Sequence, residues 1–597
     1  MIKLSDYIIK RLKEHGIERV FMISGGGAMH LNDSVGKLGM DYVCSHHEQA
    51  SAIAAEGQAR ITGKTACVIV TTGPGGINTL TGVMGQWTDS VPVIYISGQV
   101  KRETCMESYP SLHLRQLGDQ EADIIGVVKP ITKFAHTLNK PEEVKKVIDK
   151  AVFIAKDGRP GPVWVNVPID IQGAMIDEDT LDEYDLTEDD DCINHEKLKS
   201  RIVEVVELLH HAKRPVIIAG QGIRIAGAQE LFLELVKKLQ IPVISTFNGM
   251  DLIASDNPLY IGRIGTIGDR AGNFALQNAD VVICIGSRNN IRQVSYNWKC
   301  FAHRAKLVVV DIDKAELEKS TVNPYMVVHA DAKEFLTALK IKTGQTEVPD
   351  GTEWLNWCLE RKNRYPVVIE EYKKSDSVNP YYFIDLLTQN LKENAVVVTA
   401  NGTACVCTFQ AGKVKENQRY IWNSGCASMG YGLPAAIGAC FANEKKDVIC
   451  IEGDGSIQMN LQELQTIAHH NLPVKLFVLN NCGYSSIKQT QDAFFGGNYV
   501  ACNCESGVSC PDIKKIASAY GLPVEIIEHQ KDMDSTIQRV LNIEGPVVCE
   551  VILTPDYIFS PKLSSERLPD GRIISKPLED MYPFLPREEF ENNIIID

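Results

Sequence analysis

Two strand-like runs in this chain end in residues suited to a charged phosphate ligand. Val448–Ile451 is a continuous apolar run that leads into Gly453-Asp454-Gly455-Ser456, and Leu476–Leu479 leads into Asn480-Asn481, with the 24 residues Ser456 to Leu479 between them. A strand ending in Gly-Asp-Gly sets a carboxylate beside backbone amides and a helix N-terminus able to receive a diphosphate. The second strand end adds an amide oxygen. One carboxylate, one amide oxygen and phosphate oxygens form a ligand set that magnesium favours. Gly-Asp-Gly alone is a common turn. What separates it here is its place at a strand end, the spacing and the Asn-Asn pair, which put both groups at neighbouring strand ends.

The elements that must hold these residues recur along the chain. Short apolar runs bounded by Gly, Pro or Asp appear at helix-length spacing: Val68–Thr71, Val91–Ser97, Val163–Val167, Pro215–Ala219, Val281–Ile285, Leu307–Val310, Val396–Thr399 and Val547–Ile552. Runs without alternation mark strands buried on both faces, so the pattern predicts an α/β chain of parallel sheets. An acidic stretch, Asp177–Asp191, has ten carboxylates in fifteen positions and predicts a linker. The expected organisation is three doubly wound parallel-sheet domains at residues 1–175, 192–342 and 375–555. Linkers span 176–191 and 343–374, and a Pro-containing tail runs over 556–597. The tail's aromatics suggest an ordered arm over an active-site mouth.

Composition sets the outer bounds. The 597 residues carry 61 Lys+Arg against 76 Asp+Glu, a net charge of −15, with no basic block. That pattern excludes a nucleic-acid partner, because phosphate backbones require clustered Lys/Arg. The 17 cysteines are scattered through apolar runs and read as thiols of a reducing compartment. Cys502, Cys504 and Cys510 are close in sequence but lack a fourth ligand at a zinc-like spacing. No stretch approaches 18 uninterrupted apolar residues, so a soluble cytoplasmic protein without membrane partners is expected.

Gly453-Asp454-Gly455, the 24-residue gap and Asn480-Asn481 resemble the cofactor motif of the thiamine diphosphate enzymes. The flanks Ile457–Ile467 and Asn471–Lys475 resemble the acetolactate synthase-like, large-catalytic-subunit branch. So do His47-Glu48-Gln49, Ala54-Ala55-Glu56-Gly57, Thr72-Gly73-Pro74-Gly75 and Asp89-Ser90-Val91-Pro92 in the first unit, and Met429–Gly438 early in the third. The resemblance covers nearly the whole chain. It implies a pyrimidine-binding, a central and a diphosphate-binding domain. It also implies thiamine diphosphate with Mg2+ as cofactors, and a homodimer or homotetramer with active sites at the subunit interface.

Residue by residue, the resemblance makes Glu48 the carboxylate that bonds the cofactor's pyrimidine ring and so activates its reactive carbon. Met429 becomes the apolar wedge that bends the cofactor. Pro74, Thr403, Gly453, Gly455, Ser456 and Tyr484 belong to the cofactor site, while Asp454, the Asn481 side chain and a backbone carbonyl near Gly483 hold the metal. Gln120 matches a glutamine of the substrate pocket, and Arg292 matches an arginine that grips a carboxylate, for which a guanidinium fork is suited. Read alone, Glu48 also fits a helix-start acid, Met429 a core filler, the commoner fate of Met in such a run, and Arg292 an ordinary exposed arginine. The central domain resembles the branch's flavin domain at Gly220, Gly222, Gly265, Arg288 and Asp311, which implies FAD, although relatives hold ADP or nothing there.

The implied activity is decarboxylation of a pyruvate-type 2-oxo acid donor, followed by ligation to a carbonyl acceptor. The alternatives are acetolactate synthase proper, a non-ligating decarboxylase, a C–C lyase, and a catalytically silent cofactor-binding subunit. Several pocket positions depart from the family: Asp119 stands for Phe, Thr266 for Met, Ser486 and Thr490 for Met and Trp, Ile169 for Lys, and Thr403-Ala404 for Gln-His. Hydroxyl and carboxylate groups at an acceptor wall select a more polar acceptor, because an unpaired buried polar group costs about 1–3 kcal/mol.

Overall fold

The computed structural model describes residues 1–185, 193–344 and 350–596. Three six-stranded sheets, all parallel, account for the apolar runs. The first orders its strands Asp41–Cys44, Arg19–Met22, Ala66–Val70, Val93–Gln99, Val163–Pro168 and Phe134–Thr137. The third repeats that topology with Arg419–Ile421, Val396–Thr399, Val448–Gly453, Val474–Asn480, Val547–Ile552 and Val524–Ile527. The central sheet differs, running Tyr260–Arg263, Val243–Ser245, Pro215–Ala219, Val281–Ile285, Lys306–Asp311 and Met326–His329. Its strand order 3-2-1-4-5-6 is that of the dinucleotide-binding doubly wound folds.

Helices on both faces bury the sheets. Val281–Ile285 is at most 4% exposed throughout, and full burial of each aliphatic side chain contributes about 1.5–3 kcal/mol. In the first domain Trp164 is fully buried, stacks on Tyr95 at 4.8 Å and donates its indole N–H to Ser97 Oγ at 2.8 Å. Burying the large ring therefore leaves no donor unpaired. The first and third domains meet through two helices, Glu48–Thr62 and Gly432–Ala442. Small residues let their backbones approach so closely that a Cβ on Gly438 would fall 1.8 Å from the Ala54 carbonyl oxygen.

Both expected linkers carry structure. At the start of the acidic stretch Leu181 is buried in the first domain's core, and Glu178 and Glu183 pair with Lys10 and Lys145 at 2.5 and 2.6 Å. Residues 186–192 lie outside the described residues. Within 343–374 the helix Thr352–Arg364 packs on the central domain. Trp354 and Cys358, one turn apart, are buried, and Trp354 donates to the Pro215 carbonyl at 3.0 Å. The polar average of that segment hid its apolar stripe.

The tail also carries structure, and most of it lies on the central domain. Its first residues pack on the third domain, where Tyr557 and Phe559 join the core. Beyond them it crosses the central domain, where Glu579 accepts from Gln277 at 2.7 Å and the Met581 and Asn593 carbonyls accept from Arg270 and Asn278 at 3.2 and 3.0 Å. No helix among the described residues is long and apolar enough to cross a membrane.

Candidate active site

The third sheet brings Asp454 and Asn481 together as their strand-end positions predict. Asp454 follows Val448–Gly453 and is 1% exposed. Its Oδ1 accepts from Gly455 N at 2.9 Å, and its Oδ2 accepts from Asn481 N and Gly483 N at 3.2 and 3.1 Å. Burial pushes the carboxyl above its ordinary range, and the three backbone N–H groups offset part of that rise. Asn481 follows Val474–Asn480. Its Nδ2 donates to the Tyr557 hydroxyl at 3.1 Å, while its Oδ1 is buried without a hydrogen-bond partner. A buried, unpartnered amide oxygen beside a buried carboxylate is costly unless a cation satisfies both. The donor set fits magnesium held against a diphosphate.

The surrounding loops are fastened to this point. Gly483, with φ +137°, presses on the Cys502 carbonyl, and the Tyr484 ring lies where a Cβ on Gly455 would be, at 2.4 Å. Thr403 opens the helix after Val396–Thr399, and its hydroxyl bonds the Tyr557 hydroxyl at 2.5 Å. Met429 is half-buried on a loop whose next residue, Gly430, donates to Ser456 Oγ at 2.9 Å and accepts from Asn460 Nδ2 at 2.8 Å. Burial, with the Asp454 carboxylate nearby, pushes the Cys510 thiol up to about 12. Among the described residues no group of three or more His, Cys, Asp or Glu is arranged to hold a metal, so Cys502, Cys504 and Cys510 form no such site.

Glu48 is the first residue of the helix Glu48–Thr62, whose start is capped by His47 Nδ1 accepting from Gln49 N at 3.0 Å. Its carboxylate accepts from Asn78 Nδ2 at 3.0 Å, within its own domain. Its neighbours cross to the third domain: Gln49 Oε1 accepts from Asn460 and His46 N donates to Glu463 Oε1. Pro74 starts the short helix Pro74–Ile77. Gln120 has φ +61°, and its carbonyl lies so close to Gly73 that a Cβ there would sit 1.9 Å away. The Gly73-Pro74 turn and the Gln120 segment therefore share one wall.

A second group of predicted residues surrounds a cavity of about 400 Å³ at the carboxyl ends of the central strands, lined by Gly222, Gly286, Arg288, Arg292 and Asp311. It opens where the strand order reverses, between Pro215–Ala219 and Val281–Ile285. There Gly222 donates to the Gly286 carbonyl at 2.9 Å, and a Cβ on Gly222 would meet Gly286 Cα at 2.6 Å. Gly220 sits beside this contact, and Gly265 backs onto the Arg292 carbonyl. Burial pushes the Asp311 carboxyl up to about 6. One guanidinium nitrogen of Arg292 is buried without a partner, and its carbon lies 5.4 Å from the Phe247 ring centre. Arg60 and Asp89 of the first domain reach the same cavity.

Sequence reasoning missed Tyr557, Asn460, Glu463 and Glu452. Glu452 is fully buried, accepts from Leu433 N at 3.1 Å and is pushed up to about 7 by burial. A lone Glu inside the motif-bearing strand was the available signal. For Tyr557, 76 residues beyond Asn481, no local pattern existed.

Comparison with known proteins agrees with this geometry. Models of the thiamine pyrophosphate enzymes match three stretches: the N-terminal TPP binding domain at residues 2–123, the central domain at 202–339 and the C-terminal TPP binding domain at 400–551. The acetolactate synthase large subunit of Cyanidium caldarium is 32% identical over 564 residues, covering 92% of each chain. The acetolactate synthase 1 of Nicotiana tabacum, chloroplastic, is 31% identical, covering 92% of this chain and 82% of its own. The isozyme 1 large subunit of Escherichia coli is 30% identical, covering 92% and 93%.

Proposed function

The chain belongs to the thiamine pyrophosphate enzymes, in the branch of the acetolactate synthase large subunits, and from that membership we propose that it decarboxylates a pyruvate-type 2-oxo acid and ligates the two-carbon remainder to a carbonyl acceptor more polar than pyruvate. Its enzyme class, a thiamine diphosphate-dependent carboligase or decarboxylase, follows directly from the family. The observation that carries the site assignment is the buried, unpartnered Asn481 Oδ1 beside the threefold-bonded Asp454.

In this reading Asp454, Asn481 and the Gly483 carbonyl hold Mg2+. Gly453, Gly455, Ser456, Tyr484 and Thr403 line the diphosphate, and Met429 and Pro74 shape the space for the rings. The bound cofactor supplies a carbon nucleophile for the donor's keto carbon. Before that attack, Glu48 would exchange a proton with the pyrimidine nitrogen, as a positioned carboxyl can. Gln120 orients the donor, and Arg292 has a free N–H for a carboxylate.

Because Glu48 bonds within its own domain, a second copy of the chain is proposed to complete the site. Large exposed apolar residues support that interface, with Tyr42, Ile77 and Met84 on the first domain at 50%, 42% and 39%, and Met459 and Ile487 on the third at 47% each. A homodimer or homotetramer fits.

Support for the polar acceptor is divided. Ser486 Oγ faces Gly402 at the strand ends and Asp119 is exposed. The Thr403 hydroxyl, however, is engaged by Tyr557, and Thr490 Oγ1 donates to its own helix at the Ser486 carbonyl. Those two engaged hydroxyls, with the names of the relatives, favour acetolactate synthase proper as the second reading. Product analysis with pyruvate, with and without hydroxylated aldehydes or keto-sugars, decides. Acetolactate as the main product, unchanged by added acceptor, returns the assignment to acetolactate synthase. Carbon dioxide release without a ligated product marks a simple decarboxylase.

The central cavity is proposed to hold FAD, supported by its dinucleotide-type strand order, the glycine contact at the order reversal and the cations at its wall. Arg288, 31% exposed, lies 4.0 Å from Asp89, which is buried and already held by Arg60 at 3.0 Å, so the longer pair contributes little to stability. Arg288→Ala should therefore leave the melting temperature nearly unchanged. It should weaken flavin retention about tenfold to a hundredfold, the loss of one hydrogen bond to a charged group. Flavin absorbance of the purified variant, before and after gel filtration, reads this out.

A further inference from the structure

We infer that Tyr557, contributed by the tail, is a positioning residue of the metal site: its hydroxyl fixes the amide of Asn481 so that the amide oxygen faces the metal. The inference rests on the reading of Asp454 and Asn481 as metal ligands. A carboxamide presents an acceptor at one end and two donors at the other in nearly the same shape, and only the oxygen can bind a cation. What holds the right end forward is the partner of the other end, the role that outer hydrogen bonds play for metal ligands generally.

Here Asn481 Nδ2 donates to the Tyr557 hydroxyl at 3.1 Å, and Asn481 Oδ1 is left buried and free. The same tyrosine hydroxyl is hydrogen-bonded to Thr403 Oγ1 at 2.5 Å, a second contact that holds it at this point. Tyr557 is 7% exposed, and its backbone is clamped on both sides. Gln489 Nε2 donates to the Tyr557 carbonyl at 3.4 Å, Gln489 Oε1 accepts from Phe559 N at 3.0 Å, and Ser560 N donates to the Tyr381 hydroxyl at 2.8 Å. The hydroxyl is thus delivered to one point by a segment outside the three matched domains.

Tyr557→Phe removes the hydroxyl and keeps the ring. In titrations of thiamine diphosphate binding by intrinsic fluorescence, the half-saturating Mg2+ concentration should rise about tenfold, the lower end of the range for outer-sphere partners. The melting temperature of the cofactor-free protein should stay within a few degrees of the parent's. Asn481→Asp presents two equivalent oxygens and needs no orientation, so adding Tyr557→Phe to that variant should produce no further metal penalty. An unchanged Mg2+ dependence in Tyr557→Phe overturns the inference, as does an equal shift in the Asn481→Asp background, which would mark a merely structural role. If the parent protein shows no Mg2+-dependent cofactor binding at all, the functional reading itself falls and the inference with it.

Discussion

Glu48→Gln lowers turnover by about 10²- to 10⁴-fold, the usual worth of one positioned proton-transfer group, while leaving the folded protein and its cofactor affinity nearly intact. The substitution keeps the size of the side chain and an oxygen able to accept from Asn78, so the hydrogen bond the carboxylate makes with it survives. The helix start is equally unaffected, since its cap comes from His47 and not from Glu48. What is lost is the acidic proton. Two measurements separate this from a folding defect: kcat with a saturating 2-oxo acid, and the rate at which the bound cofactor's reactive C–H proton exchanges into deuterated water. Both should fall together. Turnover unchanged in the variant would show that Glu48 is only a helix-start acid and that proton exchange at the pyrimidine is served from elsewhere.

The strands that build this site were legible because parallel sheets bury both faces, so Pro215–Ala219, Val281–Ile285, Val396–Thr399 and Val547–Ile552 stand out as unbroken apolar runs with the same limits in the structure. Strands at or near sheet edges were not. Phe134–Thr137 is half-buried along its length, and Val524–Ile527 nearly so. Both lie at one end of their sheets, where polar residues are tolerated and the run loses its contrast. Between the two motif strands the chain passes through two short 3-10 turns, Ile457–Met459 and Leu461–Glu463, and becomes α-helical only at Leu464. The irregular start lets Asn460 reach both Gly430 and Gln49.

The division between motif and context is sharper in the site itself. Asp454 and Asn481 announced themselves because both sit at the ends of adjacent strands, where sequence spacing converts into position. The groups that orient them did not. Tyr557 comes from the tail and Asn460 from an irregular turn, and their contacts are set by packing across 76 residues to Asn481 and 411 residues to Gln49. A periodicity argument reaches one element at a time. It cannot see an interaction whose two halves belong to different elements joined only by the finished fold.

Asp454→Asn abolishes cofactor binding without unfolding the protein. The carboxylate takes three backbone N–H groups on two oxygens, and the two from Asn481 and Gly483 converge on Oδ2. An asparagine must offer its NH2 to one side. It either confronts those two donors or gives up the bond from Gly455, and in both cases the proposed metal site loses the negative charge of Asp454. Two charged contacts are lost together, the carboxylate's to the metal and the metal's to the diphosphate, at about 1.5–3 kcal/mol each, which corresponds to at least a hundredfold weaker binding. Stability without cofactor runs the other way. Burial already strains the Asp454 carboxylate, as its raised pKa records, so a neutral side chain relieves part of a desolvation cost that the backbone N–H groups offset only in part. The melting temperature of the cofactor-free variant should therefore match or slightly exceed the parent's. The gain on adding Mg2+ and thiamine diphosphate, about 2.7 kcal/mol for the parent at a hundredfold excess over Kd, should vanish. Thermal melts of both proteins with and without the pair of ligands measure all four values. A cofactor-dependent rise preserved in the variant would place the metal elsewhere.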